Sequence, residues 1–128
     1  MLSNLTVLYV EDNQIARSVV GEFLEDRVGF LDVAHDGKEA LEKFKNGNFD
    51  LIITDLRMPN MDGIAFMQEV KKINASMEII VVSAFKDEKE DKECEKLGVF
   101  EFLKKPLDLD ELQNVLSKVA SKIESSKR

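Results

Sequence analysis

Short apolar runs alternating with segments of helical period constrain this chain more than any other feature of it. Thr6–Val10, Phe30–Ala34, Leu51–Thr54, 79–83 and 99–103 each have strand length and draw on β-branched and aromatic residues. Phe30–Ala34 carries Asp32 in mid-run, as an edge strand would, whereas 79–83 is continuous and β-branched enough to lie inside a sheet. Between the runs, apolar residues recur at i, i+3, i+4 and i+7. Ala16, Val19, Val20 and Phe23 mark one inner face, Leu41 and Phe44 a second, and Gly63, Phe66, Met67 and Val70 a third. Leu112, Val115, Leu116 and Val119 mark another. Asp36 with Glu39 and Asp108 with Glu111 have capping-box spacing, and Gly47 is placed to end the helix that Asp36 opens. Five strands and five helices in strict alternation call for a parallel sheet covered on both faces.

Composition narrows the classes. At 128 residues the chain is one domain, with a core of about residues 5–120 and a polar end at 121–128 that is a candidate for fraying or for the start of a linker. The 25 acids against 18 bases give a formal charge of −7, which argues against nucleic acid as a direct partner. The longest aliphatic run, 79–82, is far shorter than the roughly 18 residues that cross a bilayer. Neither a charged signal start nor a disulfide framework is present, since Arg17 is the first base and Cys94 the only cysteine. A cytoplasmic location with no membrane association is therefore expected.

The residues after each apolar run carry chemistry. Glu11 and Asp12 follow the first, Asp55 the third, Ser83 closes the fourth, and Lys104 and Lys105 follow the fifth. Open α/β sheets bind ligands beyond the carboxyl ends of their strands, and right-handed crossovers bring those ends to one edge. Three carboxylates gathered there repel one another unless a cation joins them. Mg²⁺ suits such a site, because it takes oxygen ligands and keeps coordination positions open for phosphate oxygens. A hydroxyl and an ammonium opposite complete a cradle for a phosphoryl group, and a carboxylate in that cradle can act as nucleophile to form an acyl phosphate. Magnesium hydrolases use similar groups, so these residue types alone leave a small-molecule phosphohydrolase open as an alternative. A binding module that no longer takes phosphate is a further alternative, and the intact acid cluster opposes it.

The string Asp55-Leu-Arg-Met-Pro-Asn-Met-Asp-Gly63 resembles the phosphoacceptor loop of bacterial response regulator receiver domains. Glu11-Asp12, Ser83 and Phe102-Leu-Lys-Lys-Pro106 resemble the rest of that signature in order, so the resemblance runs from about Thr6 to Val119. It implies a flavodoxin-like (βα)5 doubly wound sheet of order 2-1-3-4-5. By the same resemblance, Asp55 accepts a phosphoryl group from a sensor histidine kinase or phosphotransfer protein. Asp12, Asp55 and the Arg57 backbone carbonyl hold Mg²⁺, and Glu11 reaches it through water. Lys105 pairs with the phosphoryl oxygens across a cis bond to Pro106, Lys104 is a surface charge, Ser83 hydrogen-bonds the phosphoryl group, and the rotamer of Phe102 follows Ser83. The output implied is a changed surface on the fourth helix, fifth strand and fifth helix, offered to a partner protein as in single-domain chemotaxis regulators. The chain would be no enzyme beyond its own phosphorylation and dephosphorylation.

The sequence departs from the family pattern in places. Phe102 stands where some relatives have tyrosine, and Leu97-Gly98-Val99 where Ala-Gly-Ala is frequent. Arg57 and Phe85 occupy positions that tune acyl-phosphate lifetime in the family. The segment 86–96 is charged everywhere except at Cys94, with Phe85 and Leu97 as its anchors, so it reads as a solvated helix held thinly enough to move. His35 is expected at the surface and Cys94 as packing. Met58 and Met61 fall in the acceptor loop and Met67 in the core.

Overall fold

The computed structural model of the chain describes residues 2–84 and 87–126. Its strands are β1 (Thr6–Val10), β2 (Phe30–Ala34), β3 (Leu51–Thr54), β4 (Glu78–Ser83) and β5 (Glu101–Lys104), all parallel, in the order β2-β1-β3-β4-β5. Helices α1 (Gln14–Glu25), α2 (Gly37–Asn46), α3 (Gly63–Ile73), α4 (Glu88–Lys96) and α5 (Leu109–Ser126) fill the crossovers, and a 3₁₀ turn at Leu2–Asn4 precedes β1. This is the flavodoxin-like fold expected from the sequence, with β2 at one edge and β4 paired on both sides.

The two-residue alternation of each strand divides the core into two layers. Val7, Tyr9, Leu51, Ile53, Ile80, Val82 and Leu103 face α1 and α5, where Val20, Leu24, Leu112, Leu116 and Val119 meet them. Leu8, Val10, Ile52, Ile79 and Val81 face the other way, against Leu41 and Phe44 of α2, Phe66, Met67 and Val70 of α3, and Cys94 of α4. Buried on both faces, β1, β3 and β4 read as continuous apolar runs, as interior parallel strands should.

Several local expectations shift. On α1 the inner stripe is Val20 and Leu24 with Phe23 half-buried, while Val19 is 54% exposed. Val19 and Val20 are adjacent and both apolar, so periodicity admits either, and the sheet selects Val20. The fifth strand begins at Glu101 rather than Val99, because Val99 is used to end α4. Gly98 has φ 71°, its N–H donates to the Glu95 carbonyl at 3.0 Å, and the Val99 N–H donates to the Cys94 carbonyl at 3.2 Å. This is a Schellman cap, whose left-handed residue favours glycine. Gly47 caps α2 in an extended conformation instead (φ −120°). At the C-terminus, α5 continues to Ser126 and buries Ile123. The N-cap of α4 is Asp87, which accepts from the Lys89 and Glu90 N–H groups; Phe85 and Lys86, the proposed anchor and first residue of that segment, lie outside the described residues.

Asp36 joins two elements. Its Oδ1 accepts the Glu39 N–H at 2.7 Å as the N-cap of α2, and its Oδ2 accepts from the Asn60 amide at 2.8 Å, tying α2 to the β3–α3 loop. The reciprocal arm of the capping box is displaced by one residue, since the Glu39 carboxylate accepts the His35 N–H rather than that of Asp36. The Glu39 N–H above all, then Asn60, hold the Asp36 carboxyl below its ordinary value of 3.8, against its burial. Asp36→Ala should therefore lower stability by about 2 kcal/mol, read by urea denaturation. A depressed carboxyl stabilises above its unfolded value, so the deficit relative to wild type should shrink as pH falls below 3.8 through the folded value.

Candidate functional site

The carboxyl ends of β1, β3, β4 and β5 form one edge of the sheet, and the turns leaving them carry the residues singled out above. Val10 pairs with Thr54, and Thr54 with Val81, so Glu11 and Asp55 emerge side by side with Ser83 just beyond. The Asp55 N–H donates to the Val10 carbonyl at 3.1 Å, and the Lys105 N–H donates to the Ser83 carbonyl at 2.9 Å. These two bonds continue the sheet ladder by one step and fix where the acidic and basic side chains leave it.

One carboxylate oxygen from each of Glu11, Asp12 and Asp55 lies within 4.8 Å of the others, with Glu11 and Asp55 buried and Asp12 exposed. Lys105 spans the buried pair: its Nζ donates to Glu11 Oε1 at 2.5 Å and to Asp55 Oδ2 at 2.7 Å. The second oxygens are held by the main chain. Asp55 Oδ1 accepts the Leu56 N–H at 2.6 Å and the Arg57 N–H at 3.4 Å, and Glu11 Oε2 accepts the Asn13 N–H at 3.1 Å. Ser83 is 1% exposed, and Phe102 is half-buried against the α2–α4 layer. The Lys105–Pro106 bond is cis, as anticipated, and Lys104 is exposed.

Burial dominates the Glu11 carboxyl and raises its pKa, although Lys105 and the Asn13 N–H both oppose the shift. Burial acts against the Lys105 charge as well, but hydrogen bonds to Asp55 and Glu11 outweigh it and hold the ammonium above its ordinary range. Tyr9, beneath the cluster, is pushed far upward by burial and then by the charges of Glu11 and Asp55. The pocket is thus net anionic even with its lysine in place. An all-oxygen set with one exposed member suits a hard divalent ion that retains water, so these residues fit Mg²⁺.

Reasoning from residue types found the side chains but missed the groups that aim them. Asn13 caps α1 by accepting the Ala16 N–H at 2.9 Å while its own N–H holds Glu11; an Asn directly before a helical stripe is the signal for it. Arg17, one turn on, donates to the Glu11 and Asp12 carbonyls at 2.8 and 3.3 Å and pins that turn. Gly63 opens α3 with its N–H on the Leu56 carbonyl at 2.7 Å, so close that a Cβ there would sit 2.2 Å from the Asp55 carbonyl oxygen. Arg57, besides its N–H contact, reaches α4, with Nη2 3.3 Å from Glu90 and 3.8 Å from Asp87. His35 is exposed, as expected, and lies 3.2 Å from Glu39.

The molecule is thus a parallel α/β domain whose carboxyl edge bears an acid cluster bridged by one lysine. Residues 7–117 match the response regulator receiver domain family, and the chain belongs to that family. It is 33% identical to the transcriptional regulatory protein ZraR of Escherichia coli over 115 residues, 90% of this chain, but it spans only about a quarter (26%) of that relative's length. It is 32% identical to the chemotaxis protein CheY of Halobacterium salinarum, covering 88% of this chain and 94% of that protein. Among solved structures it superposes on the CheX–CheY–BeF₃–Mg²⁺ complex of Borrelia burgdorferi with a TM-score of 0.83 and 30% identity, covering 90% of this chain and 88% of that one. No helix among the described residues is long and apolar enough to cross a membrane.

Proposed function

We propose that the whole chain acts as one receiver unit in the cytoplasm that takes a phosphoryl group onto Asp55 from a histidine kinase or phosphotransfer protein and passes the change to a partner protein. The observation that carries this reading is the shared ammonium. Lys105 holds Asp55 by one oxygen at 2.7 Å, while the Leu56 and Arg57 N–H groups fix the other, so the carboxylate is oriented before any donor arrives. An Asp55 oxygen attacks the donor phosphorus, the new O–P bond forms as the P–N bond to the donor histidine breaks, and the electron pair leaves with the imidazole.

Asp12 and Asp55, with the Arg57 carbonyl, would hold Mg²⁺ directly and Glu11 through water; the ion supplies positive charge opposite the transferring oxygens. Lys105 then exchanges part of its contact with Asp55 for the incoming phosphoryl oxygens, and the Ser83 hydroxyl turns toward them. The extra charge, roughly −1.5 to −2, draws these donors inward, and Phe102 follows into the space beside Ser83. The surface of α4, β5 and α5 changes as the balance between two packings shifts.

With Mg²⁺ and a small acyl-phosphate donor, the protein should gain one phosphoryl group by intact-mass spectrometry. Asp55→Asn should gain none, and equal labelling of that variant would remove the assignment. Omitting Mg²⁺ should suppress the wild-type signal as well.

A further inference from the structure

The loop from β3 to α3 carries Asp55 at its start and bends sharply at its tip. There the Met61 N–H donates to the Pro59 carbonyl at 2.7 Å, and Asn60 between them has φ 67°. A bond from residue i to i+2 closed about a positive φ is the strained form of the γ-turn. Asn60 is the one non-glycine residue of positive φ among the described residues. Asparagine tolerates that backbone better than most residues, yet such strain persists only where the surroundings over-determine it.

The surroundings are the start of α2. Asp36 and Gly37 meet the tip with consecutive groups of opposite sense: Asp36 Oδ2 accepts from the Asn60 amide at 2.8 Å, and the Gly37 N–H donates to the Met61 carbonyl at 3.1 Å. The approach requires glycine, since a Cβ on Gly37 would lie 2.2 Å from the Met61 carbonyl oxygen. Asp36 is 7% exposed and its carboxyl is held below the ordinary value, so at neutral pH it is ionised and only accepts. Asn60 must therefore turn its NH₂ to α2, which fixes the side chain of the strained residue. At the far side of the loop, the Gly63 N–H holds the Leu56 carbonyl at 2.7 Å, and Asp62 caps α3 on the Ala65 N–H at 2.8 Å. Arg57 lies between the Leu56 anchor and the braced tip. A backbone carbonyl has no rotamer with which to recover its aim, so the chain on either side sets the direction of the Arg57 oxygen.

We propose, resting on the Mg²⁺ reading given above, that Asp36 and Asn60 are positioning residues for the divalent ion. The start of α2 braces the strained tip of the β3–α3 loop, and the brace aims the Arg57 carbonyl at the acid cluster. Neither residue touches the ion. Each acts through the loop backbone, from an element that contributes no ligand of its own.

The test reverses the hydrogen bond between them. In Asn60→Asp two carboxylates face each other and neither donates, so the brace opens. In Asp36→Asn/Asn60→Asp donor and acceptor change places and the net charge returns to that of wild type. The α2 cap survives, because asparagine caps as well as aspartate, and both residue types tolerate positive φ. Isothermal titration calorimetry with Mg²⁺, free of any phosphoryl donor, reads the affinity. Asn60→Asp should bind Mg²⁺ about tenfold more weakly than wild type, and the exchanged pair should return to within about twofold of it. The extra negative charge of Asn60→Asp attracts the cation, so weaker binding in that variant opposes the charge effect. Urea denaturation separates positioning from stability. An Asn60→Asp protein that is less stable yet binds Mg²⁺ as wild type does overturns the proposal, and so does an exchanged pair that stays as weak as Asn60→Asp. Asp55 labelling by an acyl-phosphate donor in either case leaves the phosphoacceptor reading standing. If wild type takes up no Mg²⁺, the metal reading fails and the aiming role with it. Amide exchange at Gly37 then still decides the brace: faster exchange in Asn60→Asp, restored in the exchanged pair, supports it, and unchanged exchange overturns it.

Discussion

Lys105→Met should lower the unfolding free energy by about 2–3 kcal/mol at neutral pH without divalent ions. The Lys105 ammonium is shared by two carboxylates whose side chains are only 2% and 10% exposed, Glu11 and Asp55. Removing one partner of a fully buried pair costs about 3–5 kcal/mol, because the charge left behind is neither solvated nor paired. Lys105 itself is 23% exposed, so solvent recovers part of that loss. The pH dependence follows from Glu11, whose pKa burial already raises above 4.5 and which rises further once the ammonium is gone. A raised carboxyl destabilises the fold when it ionises, so the deficit of the variant should grow as pH climbs from the wild-type folded value, itself above 4.5, to the variant's higher one, and level off above that. Urea denaturation across that range measures it. A constant deficit at every pH would mean that lost packing of the lysine stem, and not an uncompensated carboxylate, sets the cost. Mg²⁺ should narrow the gap between variant and wild type, because it supplies charge to the same oxygens.

Gly63→Ala should damage both the fold and the site. The added Cβ would meet the Asp55 carbonyl oxygen at 2.2 Å and the Leu56 Cα at 2.7 Å. Both obstacles are main chain, so no rotamer change relieves the contact, and either α3 or the acceptor turn must move. Overpacking of this kind costs about 1–3 kcal/mol or more. The bond from the Gly63 N–H to the Leu56 carbonyl at 2.7 Å lies in the same contact and would stretch with it. A displacement near 1 Å at a reacting carboxylate costs about 100-fold in rate, so phosphoryl incorporation from an acyl-phosphate donor should fall by that order. Incorporation at the wild-type rate with reduced stability would show that α3 yields and Asp55 stays in place.

These two residues also mark what could be read from sequence and what could not. An ammonium at this strand end was legible because its chemistry resides in a side chain that follows an apolar run, which fits Lys104 and Lys105 alike, and the resemblance chose Lys105. The same reasoning placed Glu11, Asp55 and Ser83 on one edge, while the division of the core between two layers comes from the structure. Gly63 was legible only as part of a helical stripe and a familiar string. Its actual role is to let α3 approach the Asp55 main chain, and an approach between two backbones leaves no period in a sequence. The Leu56 N–H on Asp55 was invisible for a related reason, since every residue but proline carries that donor. Val19 and Val99 show a third limit. Each is apolar where an apolar residue fits two placements, and the tertiary partner decides: the sheet turns α1 onto Val20, and the Gly98 cap takes Val99 out of β5.

The span of the lysine contact has a consequence in time. Glu11 and Lys105 are 94 positions apart, and Asp55 and Lys105 are 50. A ribosome adding roughly 5–20 residues per second makes all three carboxylates several seconds before it makes the lysine. β1, β2 and β3 can pair in that interval, since they are neighbours in the sheet, yet their shared edge then lacks the ammonium that bridges Glu11 and Asp55. The electrostatics of a nascent chain at this edge are therefore opposed to closure until β5, the outermost strand, docks. The site's balancing charge thus arrives with the last strand of the sheet, and assembly of the sheet and completion of the site become the same event.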